Sequence, residues 1–363
     1  MNKFIRIYLV PGAVFQSILV GGGYGTGREV IQYFTRLGAF GGLLAILISF
    51  AIFALVLSLT FEIGRRFRAY DYRAFFQILL GRGWFLYEIF GFFMLMLTFA
   101  VLISAASGVL EDGFGLPAWI GMALVFGLVG ILEFFGRDMV MRVLTFWSIV
   151  LYAVFITFLI KVFGAIPDDI TSAFTAGGVE KGWAVSGFQY AMYNMTAAPI
   201  VLYVARDFET RKHSLGAGII AAVIAILPAV IFHVAFAGAG PDIGEAEIPV
   251  YAMMNLYSMG FLTIAFTIML FGTLIETGAG VLQGVNERID HQLRDFGRKP
   301  LGKWGHTGVA MGFMALALGV ASVGIINLIA KGYGTMAWGF FAIYFIPLMS
   351  VGVWRLLKSG KNS

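Results

Sequence analysis

The residues best suited to chemistry fall in two short stretches of a chain that is otherwise apolar. The first is Val20-Gly21-Gly22-Gly23-Tyr24-Gly25-Thr26-Gly27-Arg28-Glu29, inside a segment that otherwise reads as a membrane-spanning helix over residues 7–34. Each glycine costs about 1 kcal/mol against alanine in a helix, so this run predicts a break. In a bilayer a broken helix survives only where its freed N–H and C=O groups are buried in protein or face a wet cavity. The freed N–H groups of Gly25-Thr26-Gly27 suit an anion such as a carboxylate. The freed carbonyls of Val20–Gly23 suit a cation. The Thr26 hydroxyl and the Tyr24 ring add side-chain contacts. Arg28 is expected to hold an acidic group of a solute, and Glu29 to serve as a gate; otherwise both sit near the mouth, see water and pair with neighbours.

The second stretch is Gly272-Thr273-Leu274-Ile275-Glu276-Thr277-Gly278-Ala279-Gly280. Thr273, Glu276, Thr277 and Gly280 recur at helical spacing and share one small, polar face. Glu276 with its neighbouring hydroxyls can ligate Na⁺ beside the carbonyls of the first span or carry a proton; a fixed ion pair with Arg28 is the structural alternative. A third group, Gln189, Tyr190, Tyr193, Asn194 and Thr196, precedes Pro199, which cannot donate an N–H and clashes with the preceding turn. That predicts a second interrupted helix, with Asn194 and Thr196 re-pairing freed backbone groups. Two discontinuous helices at matching positions of two halves point to a binding site at the bilayer midplane. The candidate solute contacts are therefore Gly22, Gly23, Tyr24, Gly25, Thr26, Gly27, Arg28, Gln189, Tyr190, Tyr193, Asn194 and Thr196.

The elements that must position these residues are membrane spans. The 363 residues are 60% hydrophobic and 12% charged, against about 25% charged in soluble domains. With no cysteine there is no disulfide framework, thiolate metal site or cysteine nucleophile. The four histidines, His213, His233, His291 and His306, have no metal-ligand spacing. His233 reads as a satisfied interfacial histidine, Glu133, Arg137 and Asp138 as a solvated or paired turn, and Asn327 as a bond between helices. The glycine run lacks the strand and the Gly-Lys-Ser/Thr ending of a phosphate loop.

Spans of ~20 residues fit at 7–34, 39–62, 84–110, 117–135, 140–163, 184–205, 214–236, 260–286, 306–330 and 334–356. A short helix is expected around Tyr72–Leu80 and another over Pro249–Tyr257, capping the outer face. Most of the 25 Lys and Arg then fall on the side of the N-terminus, which puts both termini in the cytoplasm of a plasma-membrane protein. Ten spans halve into residues 1–163 and 184–363, joined by an extracellular connector over 164–183. An odd number of spans per half inverts the second copy.

With these motifs in hand, the glycine-broken first span, the broken sixth span and the five-plus-five layout resemble the leucine-transporter-type fold of the amino acid–polyamine–organocation superfamily. More narrowly, Gly23-Tyr24-Gly25-Thr26-Gly27-Arg28-Glu29, Met192-Tyr193-Asn194 and Leu274-Ile275-Glu276-Thr277-Gly278 resemble YkvI-type membrane proteins. The likeness spans nearly the whole chain. It implies an all-α membrane protein in which spans 1, 2, 6 and 7 move against spans 3, 4, 8 and 9, with a solute at the two breaks. It also implies a Na⁺ site on the Gly21 and Tyr24 backbone and the Thr273 and Thr277 side chains. Glu276 departs from relatives that carry only hydroxyls there, which favours proton coupling or a cationic substrate.

The expected function is secondary transport by alternating access of a small amino-acid-like or carboxylated solute, coupled to Na⁺ or H⁺, with no cofactor beyond that ion. No enzymatic constellation is present and no nucleic-acid partner is expected; the partners are the solute and the bilayer. A channel or facilitator, and a sensor keeping the same pocket, remain the alternatives.

Overall fold

The computed structural model describes residues 2–135, 153–165, 167–257 and 260–360. All regular structure among the described residues is helical. The helices are α1 Val10–Leu19, α2 Gly22–Gly25, α3 Arg28–Tyr33, α4 Ala39–Phe67, α5 Tyr72–Leu80, α6 Phe85–Phe114, α7 Ala118–Phe135, α8 Ala153–Ala165, α9 Pro167–Ala176, α10 Trp183–Asn194, α11 Arg211–Ala239, α12 Pro249–Leu256, α13 Gly260–Asp295, α14 Lys303–Ala321 and α15 Ile325–Lys358. Among the described residues seven stretches are long and apolar enough to cross a membrane: α4, α5 running into α6, α7, α11, α13, α14 and α15. The 29 residues of α4 cover about 44 Å at ~1.5 Å per residue, more than the ~30 Å hydrocarbon layer.

The first and sixth expected spans are interrupted. α1 ends at Leu19, α2 is a single turn, and α3 starts only after Thr26 and Gly27. Gly27 has φ +81°, a left-handed backbone that glycine adopts without steric cost. In the sixth, α10 stops at Asn194 and a tighter 3₁₀ helix, Met195–Asp207, carries Pro199 onward. Of the fifth expected span, 140–163, residues 140–152 lie outside the described residues, as do Arg137, Asp138 and Arg142.

The last two expected spans need correction. They do not divide between 330 and 334: α14 ends at Ala321 and α15 starts at Ile325. The turn is made by Gly324, whose φ of +84° stops a helix. Gly332 and Gly334 remain helical, in a stretch that includes π-helical turns over Leu328–Tyr333. Asn327 therefore begins the last helix instead of lying inside the ninth span. Its Nδ2 donates to Val323 O at 3.4 Å, a local bond instead of the expected bridge between helices.

Packing sorts the helices into two sets. α4 lies along α10 and α11, with α1 against α11; α6, α7, α13 and α14 pack on one another. Small residues set the closeness of the first set. A Cβ on Gly187 would stand 2.2 Å from Ala45 O, and Ser49 Oγ donates to Gly187 O at 2.8 Å across the same contact. His233 is buried, with Nδ1 3.1 Å from Thr35 Oγ1 and Nε2 2.9 Å from Ala39 O, a satisfied histidine. Glu133, expected at a turn, is buried in α7, where it accepts from Asn286 Nδ2 at 2.8 Å.

Candidate functional site

The break in the first span is re-paired largely by its own residues. Thr26 Oγ1 donates to Gly23 O at 2.9 Å and accepts from Arg28 N at 3.4 Å, so the hydroxyl expected to meet a solute is used inside the break. At the second break Asn194 Nδ2 donates to Tyr190 O and Thr196 Oγ1 to Tyr193 O, both at 2.9 Å. Tyr87 Oη, from α6, donates to Thr196 O at 2.9 Å, and the broken spans are tied to each other and to the last helix by Ser186 Oγ to Tyr33 O and Tyr33 Oη to Ile329 O, both at 2.8 Å. Buried backbone polarity must find such partners, because the hydrocarbon of a bilayer offers none.

Between the breaks and α13 lies a cavity of about 900 Å³. Gly21, Tyr24 and Gly25 line it from the first break, Tyr193, Asn194 and Thr196 from the second, and Thr273, Glu276 and Thr277 from α13. A Cβ on Gly21 would stand 3.8 Å from Thr277 Cγ2, so the first break lies directly against the α13 face. Thr273 Oγ1 donates to Met269 O at 2.9 Å. The cavity reaches the surface near Asp71 and Gln292, passing Tyr72, Arg73, Glu88 and Arg288. There Arg288 Nη1 donates to Glu88 Oε2 at 3.3 Å, and Tyr72 Oη also donates to Glu88.

Several expected contacts lie elsewhere. Gly23, Thr26, Gly27 and Tyr190 are outside the lining, and Gly22 is part of the α2 turn. Gln189 sits in a separate surface recess with Arg36, Glu180 and Lys181. Arg28 turns away from the cavity. It is buried, 6% exposed, and its Nη1 donates to the carbonyls of Gly244 at 2.6 Å and Ala246 at 3.0 Å. Beside it Val250 N, in α12, donates to Thr26 O at 3.3 Å. Arg28 thus ties the 240–248 segment to the first break. Near this clasp burial, together with Asp112 and Glu111, holds the Glu247 carboxyl above its usual range, and Arg28 opposes that shift.

Two residues absent from the expected solute contacts line the cavity. Glu29, expected only as a gate, is 4% exposed and accepts from Tyr193 Oη at 2.5 Å. Tyr333, from α15, stacks on Tyr193 with ring centroids 4.7 Å apart. A carboxyl group directly after a helix break was the signal for Glu29; nothing local marked Tyr333.

Apolar helices in multiple passes, two of the expected spans broken, and a cavity between the breaks together define a multi-pass membrane protein. The fold is shared with the crystal structure of a mutant of the Eremococcus coleocola manganese transporter, at a TM-score of 0.54 and 14% identity, over 95% of this chain and 79% of that one. In sequence the chain is a homologue of the protein described as "Uncharacterized membrane protein YkvI" from Bacillus subtilis (strain 168): the two are 23% identical over 287 residues, which cover 76% of this chain and 79% of the relative. The relationship to YkvI-type membrane proteins expected from the short motifs is borne out. No protein-family model matches the chain.

Proposed function

We propose that the chain is a secondary active transporter working by alternating access, with the leucine-transporter-type arrangement of ten spans in two inverted halves, 1–163 and 184–363, joined through 164–183. The observation that carries this reading is a single cavity lined by residues of both broken spans and of the α13 face. A carrier needs a site reachable from one side at a time. In this reading the cavity is open near Asp71 and Gln292, and the 240–250 segment that Arg28 and Thr26 hold against the first break closes its other end. In this reading the set containing α1, α4, α10 and α11 rocks against the set containing α6, α7, α13 and α14.

The cargo is a small amino-acid-like solute. A purely carboxylated cargo finds less support, because the guanidinium expected to receive it is engaged with Gly244 and Ala246. Coupling to Na⁺ or H⁺ is assigned to Gly21, Tyr24, Thr273, Glu276 and Thr277, all of which line the cavity. The structural neighbour is a manganese transporter, but among the described residues no three of His, Cys, Asp and Glu converge to hold a metal, and manganese is not carried over. The test is uptake of radiolabelled amino acids into proteoliposomes under an imposed Na⁺ or pH gradient. Uptake indifferent to both gradients refutes the coupling. Gly25→Leu should abolish uptake in a folded protein, since a Cβ there already stands 2.8 Å from Leu270 Cδ1; full activity would move the site away from the first break.

A further inference from the structure

Carboxylates of Asp71, Glu88, Glu287, Glu276 and Glu29 all line the cavity, but its cations are confined to one end. Its basic lining residues among those described are Arg73 and Arg288, both at the surface end. Arg288 Nη1 donates to Glu88 at 3.3 Å, and its guanidinium lies 5.2 Å from the Tyr72 ring centroid; that of Arg73 lies 4.4 Å from the Trp84 ring centroid. Glu29 sits deep, between the two breaks. Among the described residues no basic side chain comes within 4 Å of it; its Oε2 accepts from Tyr193. Its Oε1 lies against Gly23, where a Cβ would approach to 2.4 Å. A carboxylate in such a place is costly unless it takes up a proton or a cation reaches it.

The surrounding wall indicates the kind of cation. Tyr193 and Tyr333 stack beside Glu29 and line the cavity, and Tyr24 lines it with a buried hydroxyl that has no partner among the described residues. Aromatic faces attract ammonium groups, and an ammonium has three donors to divide between a carboxylate and a hydroxyl. A bare alkali ion needs a shell of oxygens, whereas much of this wall is ring carbon. We infer that Glu29 is the charge-selecting residue of the cavity and binds the ammonium end of the cargo, so that solutes without a positive group are not held. The inference rests on the transport reading only for the word cargo; the binding it asserts is independent of transport.

The experiment measures thermal unfolding of the purified protein in detergent with n-butylammonium or butyrate, probes of similar size and opposite charge. A ligand that binds the folded state raises its midpoint in proportion to occupancy. Butylammonium should stabilise the native protein and butyrate should not. Glu29→Gln keeps an acceptor for Tyr193 but removes the charge, and should weaken butylammonium about tenfold or more, the loss expected for one charge-assisted hydrogen bond. Gly23→Ala presses a Cβ onto Glu29 Oε1 without altering charge and should weaken it as well, so the inference remains testable if Glu29→Gln does not fold. Stabilisation by butyrate alone, by neither probe, or equal butylammonium affinity in the folded variants overturns the assignment. Glu29-dependent binding without uptake under any gradient would instead sink the transport reading and leave this one standing.

Discussion

Arg28 joins the first break to the segment that closes the cavity in the transport reading, and replacing it should open that end. Its Nη1 donates to Gly244 O at 2.6 Å and Ala246 O at 3.0 Å, with the side chain buried. A hydrogen bond from a charged donor contributes about 1.5–3 kcal/mol net. Because these two share one nitrogen, about 2–3 kcal/mol for the pair is the reasonable figure, and at ~1.4 kcal/mol per factor of ten Arg28→Met should raise the open population roughly 30-fold or more. The chain has no cysteine, so a single reporter can be read cleanly. Val250→Cys is suitable, since Val250 is fully buried and its N–H bonds Thr26 O at 3.3 Å across the clasp. When opening and closing outpace modification, the labelling rate follows the open fraction. Arg28→Met should speed maleimide labelling of Cys at 250 by that factor, and Arg28→Lys, a point charge without the planar fork, by less. An unchanged rate in Arg28→Met would show that the two carbonyl contacts do not hold the cover closed.

The same cover should respond to pH. Burial, Asp112 and Glu111 keep the Glu247 carboxyl above its usual range. The folded state therefore holds a proton that the opened state releases, so closure is favoured as pH falls through that raised value and weakened above it. Labelling at position 250, normalised to an exposed cysteine at the same pH, should slow on acidification, and Glu247→Gln should flatten the profile. In the first break Gly27→Ala should destabilise by about 2–4 kcal/mol, from left-handed strain and overpacking together, because φ is +81° and a Cβ would stand 2.4 Å from Phe236 Cζ. Gly25→Ala, facing only the tip of Leu270, should lower the unfolding midpoint much less. Between helices, Gly187→Ala forces a Cβ to within 2.2 Å of the Ala45 carbonyl, whereas Gly127→Ala meets nothing within 4 Å. The first should lower the thermal midpoint and the second raise it slightly, through the ~1 kcal/mol advantage of alanine in a helix.

What could be read from the sequence is what local chemistry dictates. Five glycines in seven residues and a proline following polar residues marked both interruptions, although Gly41-Gly42 and Pro228 stay inside α4 and α11; the helix over Tyr72–Leu80 was legible too, capped by Asp71 Oδ1 accepting from Ala74 N at 2.9 Å. The boundary at Gly324 was not. In a chain with 47 glycines, Gly332 and Gly334 flanking Tyr333 look like better punctuation, and only packing shows that Gly332 is needed for Leu97, which would lie 3.0 Å from a Cβ there. The direction of Arg28 was equally hidden. Its partners lie 216 and 218 residues away, and nothing in Gly27-Arg28-Glu29 says which of two adjacent charged side chains turns inward.

That last point bears on how the site is built. On a helix, neighbouring residues point about 100° apart, and here Glu29 lines the cavity while Arg28 does not. The single residue at φ +81° ahead of them sets which one faces inward. With Glu29 inside, Arg28 is directed toward the 240–248 carbonyls, and the residue that confronts the cargo is joined by one peptide bond to the residue that holds the cover. A displacement of Glu29 on filling the cavity must therefore be felt at Arg28 without any long relay of side chains. In the transport reading this adjacency couples occupancy to the opening of the far end, and the glycines of the break leave the backbone free enough to transmit it.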